Sequence, residues 1–285
     1  MLSEASNFKK VPLKPEIGAK IEADKQTLLS GAIAAEIRAL LEEHSVLVFP
    51  EVGFTDDEQI AFTRTLGTLA LEYNGLPNQG GELTPIFKVT LNDKVNALAG
   101  AGLKGSFFWH LDGSMHEVPI LASLLAPRVL SRTGGQTEFC NTYAAYDALP
   151  QEDKAKLEGL KVEHNNWARD RFLDPEPSYA RFLQLRKVQA RAQPLVWKHR
   201  SGRKSLVIGM TASHILGMDP NESFELLIRL RDWCTQPQFV YHHEWKMGDL
   251  VMWDNTGTLH RALPYAADSG RLMHRTMLAG EEAFA

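Results

Sequence analysis

Met247-Gly248-Asp249-Leu250-Val251-Met252-Trp253-Asp254-Asn255-Thr256-Gly257-Thr258-Leu259-His260-Arg261-Ala262 is the stretch that decides the fold. Gly248-Asp249 signals a turn, Leu250 to Trp253 reads as a buried strand, and Asn255 to Gly257 turns the chain again. His260 therefore falls on the return strand of a hairpin. Other strand candidates surround it at 107–112, 121–130, 136–140, 195–197, 205–209, 239–245 and 273–278. Many short strands separated by turns make a sandwich or a barrel.

Helices interrupt this pattern. Leu28, Leu29, Ile33, Ile37, Leu40 and Leu41 recur at helical spacing, which predicts an outer helix over 27–43 with one apolar face. Ser45-Val46-Leu47-Val48-Phe49-Pro50 then reads as a buried strand ended by proline. Thr55 has the character of an N-cap, with Asp56, Asp57 and Glu58 in the first turn of a helix that stops near Gly67. Further helices are expected at 142–148, 150–157 and 221–235. The turn-rich segment from Tyr73 to Ser106, around a strand-like piece at 86–91, and the Arg-, Asp- and Pro-rich segment 167–191 are expected as loops near the mouth of the barrel.

Composition removes several classes of function. With 31 basic and 35 acidic residues in 285, the formal charge is −4, so no global basic field is available to hold nucleic acid. Two cysteines, Cys140 and Cys234, are too few for a disulfide framework and fit a reducing compartment. The start Met1-Leu2-Ser3-Glu4-Ala5 has no secretory pattern, and no stretch approaches the roughly 20 apolar residues of a membrane span. A cytoplasmic protein with a small-molecule partner is the expectation.

The chemistry resides in two distant pieces, His110-Leu111-Asp112 and His260. On an extended strand, residues i and i+2 face one side, so His110 and Asp112 can reach one metal while Leu111 points away. Two imidazoles and one carboxylate form the ligand set of a non-haem Fe(II) site that leaves coordination positions open. His242 and His243 are adjacent, hence on opposite faces of a strand, and read as structural. His116-Glu117 lacks the second histidine of a zinc-protease helix. Cys140 reads as a buried small hydrophobe, and Gly100, Gly102 and Gly105 do not form a phosphate loop.

Four stretches carry a resemblance: Trp109-His110-Leu111-Asp112, Gly134-Gly135-Gln136-Thr137-Glu138-Phe139, Ala144-Ala145-Tyr146-Asp147-Ala148-Leu149-Pro150, and Gly248-Asp249-Leu250-Val251-Met252-Trp253-Asp254-Asn255. In them the chain resembles the Fe(II)/2-oxoglutarate-dependent dioxygenases of the taurine dioxygenase superfamily, and within it the 2,4-dichlorophenoxyacetate dioxygenase branch. The resemblance implies a mainly β fold with flanking helices around a double-stranded β-helix, or jelly roll. It implies one domain over 1–285, with 68–106 and 164–191 as lid insertions. It makes His110, Asp112 and His260 the iron ligands. Arg271, eleven residues after His260, and Thr137 would bind the distal carboxylate of 2-oxoglutarate. Arg275 would hold the anionic head of the substrate. Fe(II), 2-oxoglutarate and O2 are the implied cofactor and cosubstrates, and succinate and CO2 the implied coproducts. Related enzymes are commonly dimers or tetramers.

The substrate stays open on these residues. An aryloxyacetate hydroxylated beside its ether oxygen would fall apart to a phenol and glyoxylate; a sulfonate or sulfate ester would release sulfite or sulfate. The phenoxyacetate branch carries a histidine beside the substrate anion where Thr211 stands here, which makes Thr211, with Tyr73 and Asn74 of the lid, a candidate for substrate selection. Hydroxylation, desaturation or rearrangement of a natural-product acid is a further alternative. A non-catalytic binding barrel is disfavoured because all three ligand candidates and Arg271 are present. A zinc hydrolase leaves Arg271 and Thr137 without a role.

Overall fold

Leu250, Val251, Met252 and Trp253 are all buried, and they divide by parity: Leu250 and Met252 pack against helices, Val251 and Trp253 against the barrel interior. A strand covered on both faces needs apolar residues at every position, so this segment shows no alternation. The structure is a computed structural model, and the described residues are 8–73, 76–77, 85–96 and 101–285.

Strand Leu250–Asp254 is the middle of a seven-stranded sheet ordered Phe8–Pro12, Ala19–Ala23, Val46–Phe49, Leu250–Asp254, Ala122–Val129, Leu272–Leu278, Phe87–Val89. Its neighbours pair antiparallel except Ala19–Ala23 with Val46–Phe49, which are parallel. A second sheet holds Val240–His243, Thr137–Asn141 and Thr258–Ala262 in that order, all antiparallel. Phe139 of this sheet meets Trp253 of the first, ring centroids 5.4 Å apart, within one apolar cluster. This is a jelly roll with flanking helices.

The expected helix over 27–43 is two helices, Lys25–Ser30 and Ala34–His44. Gly31 breaks it: at φ 74° it takes the left-handed conformation, and its N–H returns to the Leu28 carbonyl. Helix Asp56–Leu66 begins as expected, with a capping box between Thr55 and Glu58. These helices cover the outer face of the large sheet, with Phe62 edge-on to Phe49 at 5.4 Å. A second apolar cluster joins Trp197, Leu206 and Leu259 to helices Thr142–Asp147 and Pro220–Cys234, the latter capped by Asp219.

Two expectations need correction. Segment 107–112 is not a strand: a 3-10 turn at Gly105–Phe107 leads to an isolated bridge at His110 and a turn from Asp112 onward. Segment 167–191 is not loop throughout, because it begins inside helix Asn166–Asp170 and contains helix Tyr179–Leu185, each started by a polar cap that the composition obscured. Among the described residues no helix is long and apolar enough to cross a membrane.

Candidate active site

His110 lies opposite His260, and the two exchange backbone hydrogen bonds, N–H to carbonyl, at 3.1 and 2.9 Å. Their imidazoles sit 4.1 Å apart, centroid to centroid. Trp109 and Leu111 turn into the apolar cluster on the other side, so the local backbone keeps the alternation that a strand would have provided. Gly209 packs behind this segment at φ 126°, and a Cβ there would approach the His110 Cα to 3.1 Å. Only glycine lets the two backbones lie so close.

Asp112 completes the group. One potential ligand atom from each of His110, Asp112 and His260 falls within 4.8 Å of the others, and all three residues are buried. His110 Nδ1 donates to the Phe108 carbonyl at 2.8 Å, which sets the tautomer and leaves Nε2 with its lone pair toward Asp112. Burial, then the neighbouring His260, pushes the His110 imidazole down to about 4, so it is neutral at pH 7. Burial would raise the Asp112 carboxyl, but the Arg275 guanidinium and the two imidazoles outweigh it and hold the group well below the usual carboxylate range. Two imidazole nitrogens and a carboxylate oxygen around one buried point fit a divalent metal, and the set leaves room for further ligands.

Arg275 donates from Nη1 to Asp112 Oδ2 at 3.0 Å and lies over the Phe87 ring at 5.0 Å. Arg271 sits one residue before strand Leu272–Leu278, where the register shifts between Leu272 and Met273, and both arginines line the same chamber. Arg271 donates from Nη2 to the Gly135 carbonyl at 2.9 Å and stacks on Tyr265 at 4.6 Å. Gly135 has φ 80°, and a Cβ there would lie 2.7 Å from Arg271 Nε. Gly135 thus cradles a guanidinium. Thr137, buried on the facing strand, also lines the chamber and accepts a hydrogen bond from Trp245 Nε1 at 2.9 Å.

The chamber has a volume of about 110 Å³, and its lining includes the apolar side chains of Phe87, Val89, Leu103, Leu125, Met210 and Trp253. A larger cavity of about 660 Å³ lies beyond Phe108 and Trp109 and includes none of the three metal-ligand candidates. Thr211 does not line the chamber: its hydroxyl lies 2.8 Å from both His164 Nδ1 and Ser114 Oγ, and Met210 forms the wall there. Asn74 and the Tyr73 side chain lie outside the described residues. His243 is paired with Asp249 at 3.1 Å, while His164 and His199 are buried away from the chamber. Both cysteines are free and buried. Sequence reasoning missed Arg169, Tyr265 and Trp245, three contributors without motif spacing.

A buried two-histidine, one-carboxylate cluster in a jelly roll, with arginines beside it, defines a class: non-haem Fe(II)/2-oxoglutarate-dependent dioxygenases. The chain belongs to the family described as taurine catabolism dioxygenase TauD, TfdA family, whose model matches residues 9–277. It is 39% identical over 274 residues to the alpha-ketoglutarate-dependent 2,4-dichlorophenoxyacetate dioxygenase of Cupriavidus pinatubonensis, covering 93% of this chain and 95% of the relative. It is 34% identical to the (S)-phenoxypropionate/alpha-ketoglutarate-dioxygenase of Sphingobium herbicidovorans, covering 97% and 96%. The crystal structure of AAD-2 in complex with Mn(II) and N-oxalylglycine superposes with a TM-score of 0.80 at 31% identity, covering 98% of this chain and 99% of that one. The protein is an oxidoreductase that uses Fe(II), 2-oxoglutarate and O2.

Proposed function

We propose that the enzyme oxidises a small aryloxyalkanoate-like carboxylate at the carbon beside the ether oxygen, releasing a phenol and a 2-oxo acid. His110, Asp112 and His260 hold Fe(II), Arg271 and Thr137 hold the distal carboxylate of 2-oxoglutarate, and Arg275 receives the carboxylate of the substrate. The observation that carries this is the 3.0 Å contact of Arg275 with Asp112: an acid seated on that guanidinium has its adjacent carbon next to the metal ligands. Relatives named for 2,4-dichlorophenoxyacetate and (S)-phenoxypropionate support the substrate class.

When bound, Fe(II) couples the oxidative decarboxylation of 2-oxoglutarate to oxidation of a substrate C–H bond. The chain supplies orientation and dryness. The Gly135 carbonyl aims Arg271, whose planar fork matches a carboxylate and keeps its charge. Arg275 fixes one oxygen of Asp112 and so the direction of the other. Phe87, Leu125 and Trp253 exclude water, so that the oxidising equivalent meets the substrate.

A sulfate ester is the second reading. It is favoured by the placement of Thr211, whose hydroxyl is engaged by His164 and Ser114 and leaves recognition to arginines that suit sulfate as well as carboxylate. Supplying phenoxyacetate and hexyl sulfate separately, and measuring phenol and sulfate release, decides between them: phenol alone supports the first, sulfate alone replaces it.

The chain is read as one domain with 68–106 and 164–191 as lids. Phe87, Val89 and Leu103 from the first and Arg169 from the second line the chamber in support. The charge of −4 and the two free buried cysteines favour a cytoplasmic enzyme without a nucleic-acid partner. Association into a dimer or tetramer rests on analogy with related enzymes.

A further inference from the structure

Three guanidinium groups line the chamber, those of Arg169, Arg271 and Arg275. Arg271 is engaged by the Gly135 carbonyl and Arg275 by Asp112. Arg169 has no hydrogen bond or ion pair from its side chain among the described residues, and its Nε is buried without an acceptor. The acid next to it cannot serve, because buried Asp170 is already paired with Arg181 at 2.9 Å.

The backbone keeps Arg169 at the wall. Helix Asn166–Asp170 is capped by Asn165, whose side chain accepts from the Ala168 N–H at 2.7 Å. The Asn165 N–H donates to the Thr211 carbonyl at 3.0 Å, tying the helix to the segment behind the metal site. A Cβ at Gly105 would touch Arg169 Cδ at 3.7 Å, so the stem of the side chain runs against the 3-10 turn that precedes His110. Arg169 is part-buried, and its Nε, a donor shielded from water without an acceptor, costs stability. An anionic ligand that accepts from this guanidinium removes that penalty.

Charge bears on which ligand. In the loaded chamber three guanidinium charges and the two of the metal face one from Asp112 and two from 2-oxoglutarate, which leaves two positive charges for the substrate. We propose that Arg169 is the receptor for a second anionic group of the substrate, and that the preferred substrates are dianions with a short apolar body, such as an aryloxyalkanoate bearing a carboxylate on the far side of its ring. This rests on the reading of Arg275 as the receptor for the first anionic group.

The test is calorimetric titration of the Fe(II)- and 2-oxoglutarate-loaded protein without O2, using two matched pairs: phenoxyacetate with 4-carboxyphenoxyacetate, and octanoate with octanedioate. The dianion should bind roughly tenfold or more tightly than its monoanion partner. Arg169→Gln should bring the dianion down to the affinity of the monoanion, and Arg169→Lys should recover part of the difference. Equal affinities within both pairs, no binding by either dianion, or an equal loss of monoanion and dianion in Arg169→Gln would overturn the proposal. Failure of the aryloxyalkanoate reading looks different: neither aryl acid stimulates succinate formation, yet octanedioate outbinds octanoate and loses that advantage in Arg169→Gln.

Discussion

His110 and His260, 150 residues apart, form an isolated antiparallel bridge in which their main chains exchange both N–H to carbonyl bonds, at 3.1 and 2.9 Å. The pairing hydrogen bonds are made by backbone alone, so they should survive loss of either imidazole, whereas the proposed metal site should not. His110→Ala should therefore abolish 2-oxoglutarate-dependent succinate formation and metal retention while costing the apoprotein only roughly 1–2 kcal/mol. Metal content after dialysis, with circular dichroism of the same sample, checks this. An unfolded variant would mean that the imidazole holds the barrel together.

Gly135→Ala should weaken 2-oxoglutarate binding without touching a ligand of the metal. The new Cβ would stand 2.7 Å from Arg271 Nε, at a residue with φ 80°. We expect the KM for 2-oxoglutarate to rise by about tenfold, the loss of one well-made charge-assisted hydrogen bond. An unchanged KM would place the cosubstrate carboxylate elsewhere.

Arg275→Ala should raise the KM for phenoxyacetate by roughly tenfold to a hundredfold, with the KM for 2-oxoglutarate little changed. Steady-state kinetics with each substrate varied in turn separates the two arginines. Equal effects on both constants would assign Arg275 to the cosubstrate.

Burial pushes the His164 imidazole down to about 4, against a hydrogen bond to Val207 that acts the other way. The unfolded chain takes up a proton near pH 6.5 that the folded protein refuses. Stability is thus fully present above pH 6.5 and falls as the pH drops toward 4, by about 3 kcal/mol for this group. Urea denaturation between pH 7 and 4 should show a shallower loss in His164→Gln than in the parent. Parallel curves would mean that His164 is already charged in the fold.

Much of the molecule was legible in the chain. Val46 to Phe49 and Leu250 to Trp253 read as buried strands because both faces are covered, and Thr55 with Glu58 marked a helix start that the structure keeps. His110, Asp112 and His260 stood out because a ligand set needs particular residue types, and they meet within 4.8 Å. The 27–43 helix misled because its apolar periodicity runs through Gly31, where the backbone turns left-handed. Strands Phe8–Pro12 and Ala19–Ala23 went unseen: the first is largely exposed and rich in lysine, and their pairing with the large sheet is a matter of tertiary contact. Arg169 lies in a charged stretch where nothing but three-dimensional placement separates it from Arg171 or Arg181. Its lack of a partner is a property of the fold.

The most direct measurement is succinate formation by the Fe(II)-loaded protein with 2-oxoglutarate and O2, with and without phenoxyacetate, alongside phenol. Succinate should rise strongly with the acid, with phenol formed mole for mole. Slow succinate formation that the acid leaves unchanged, with no phenol, would contradict the aryloxyalkanoate assignment.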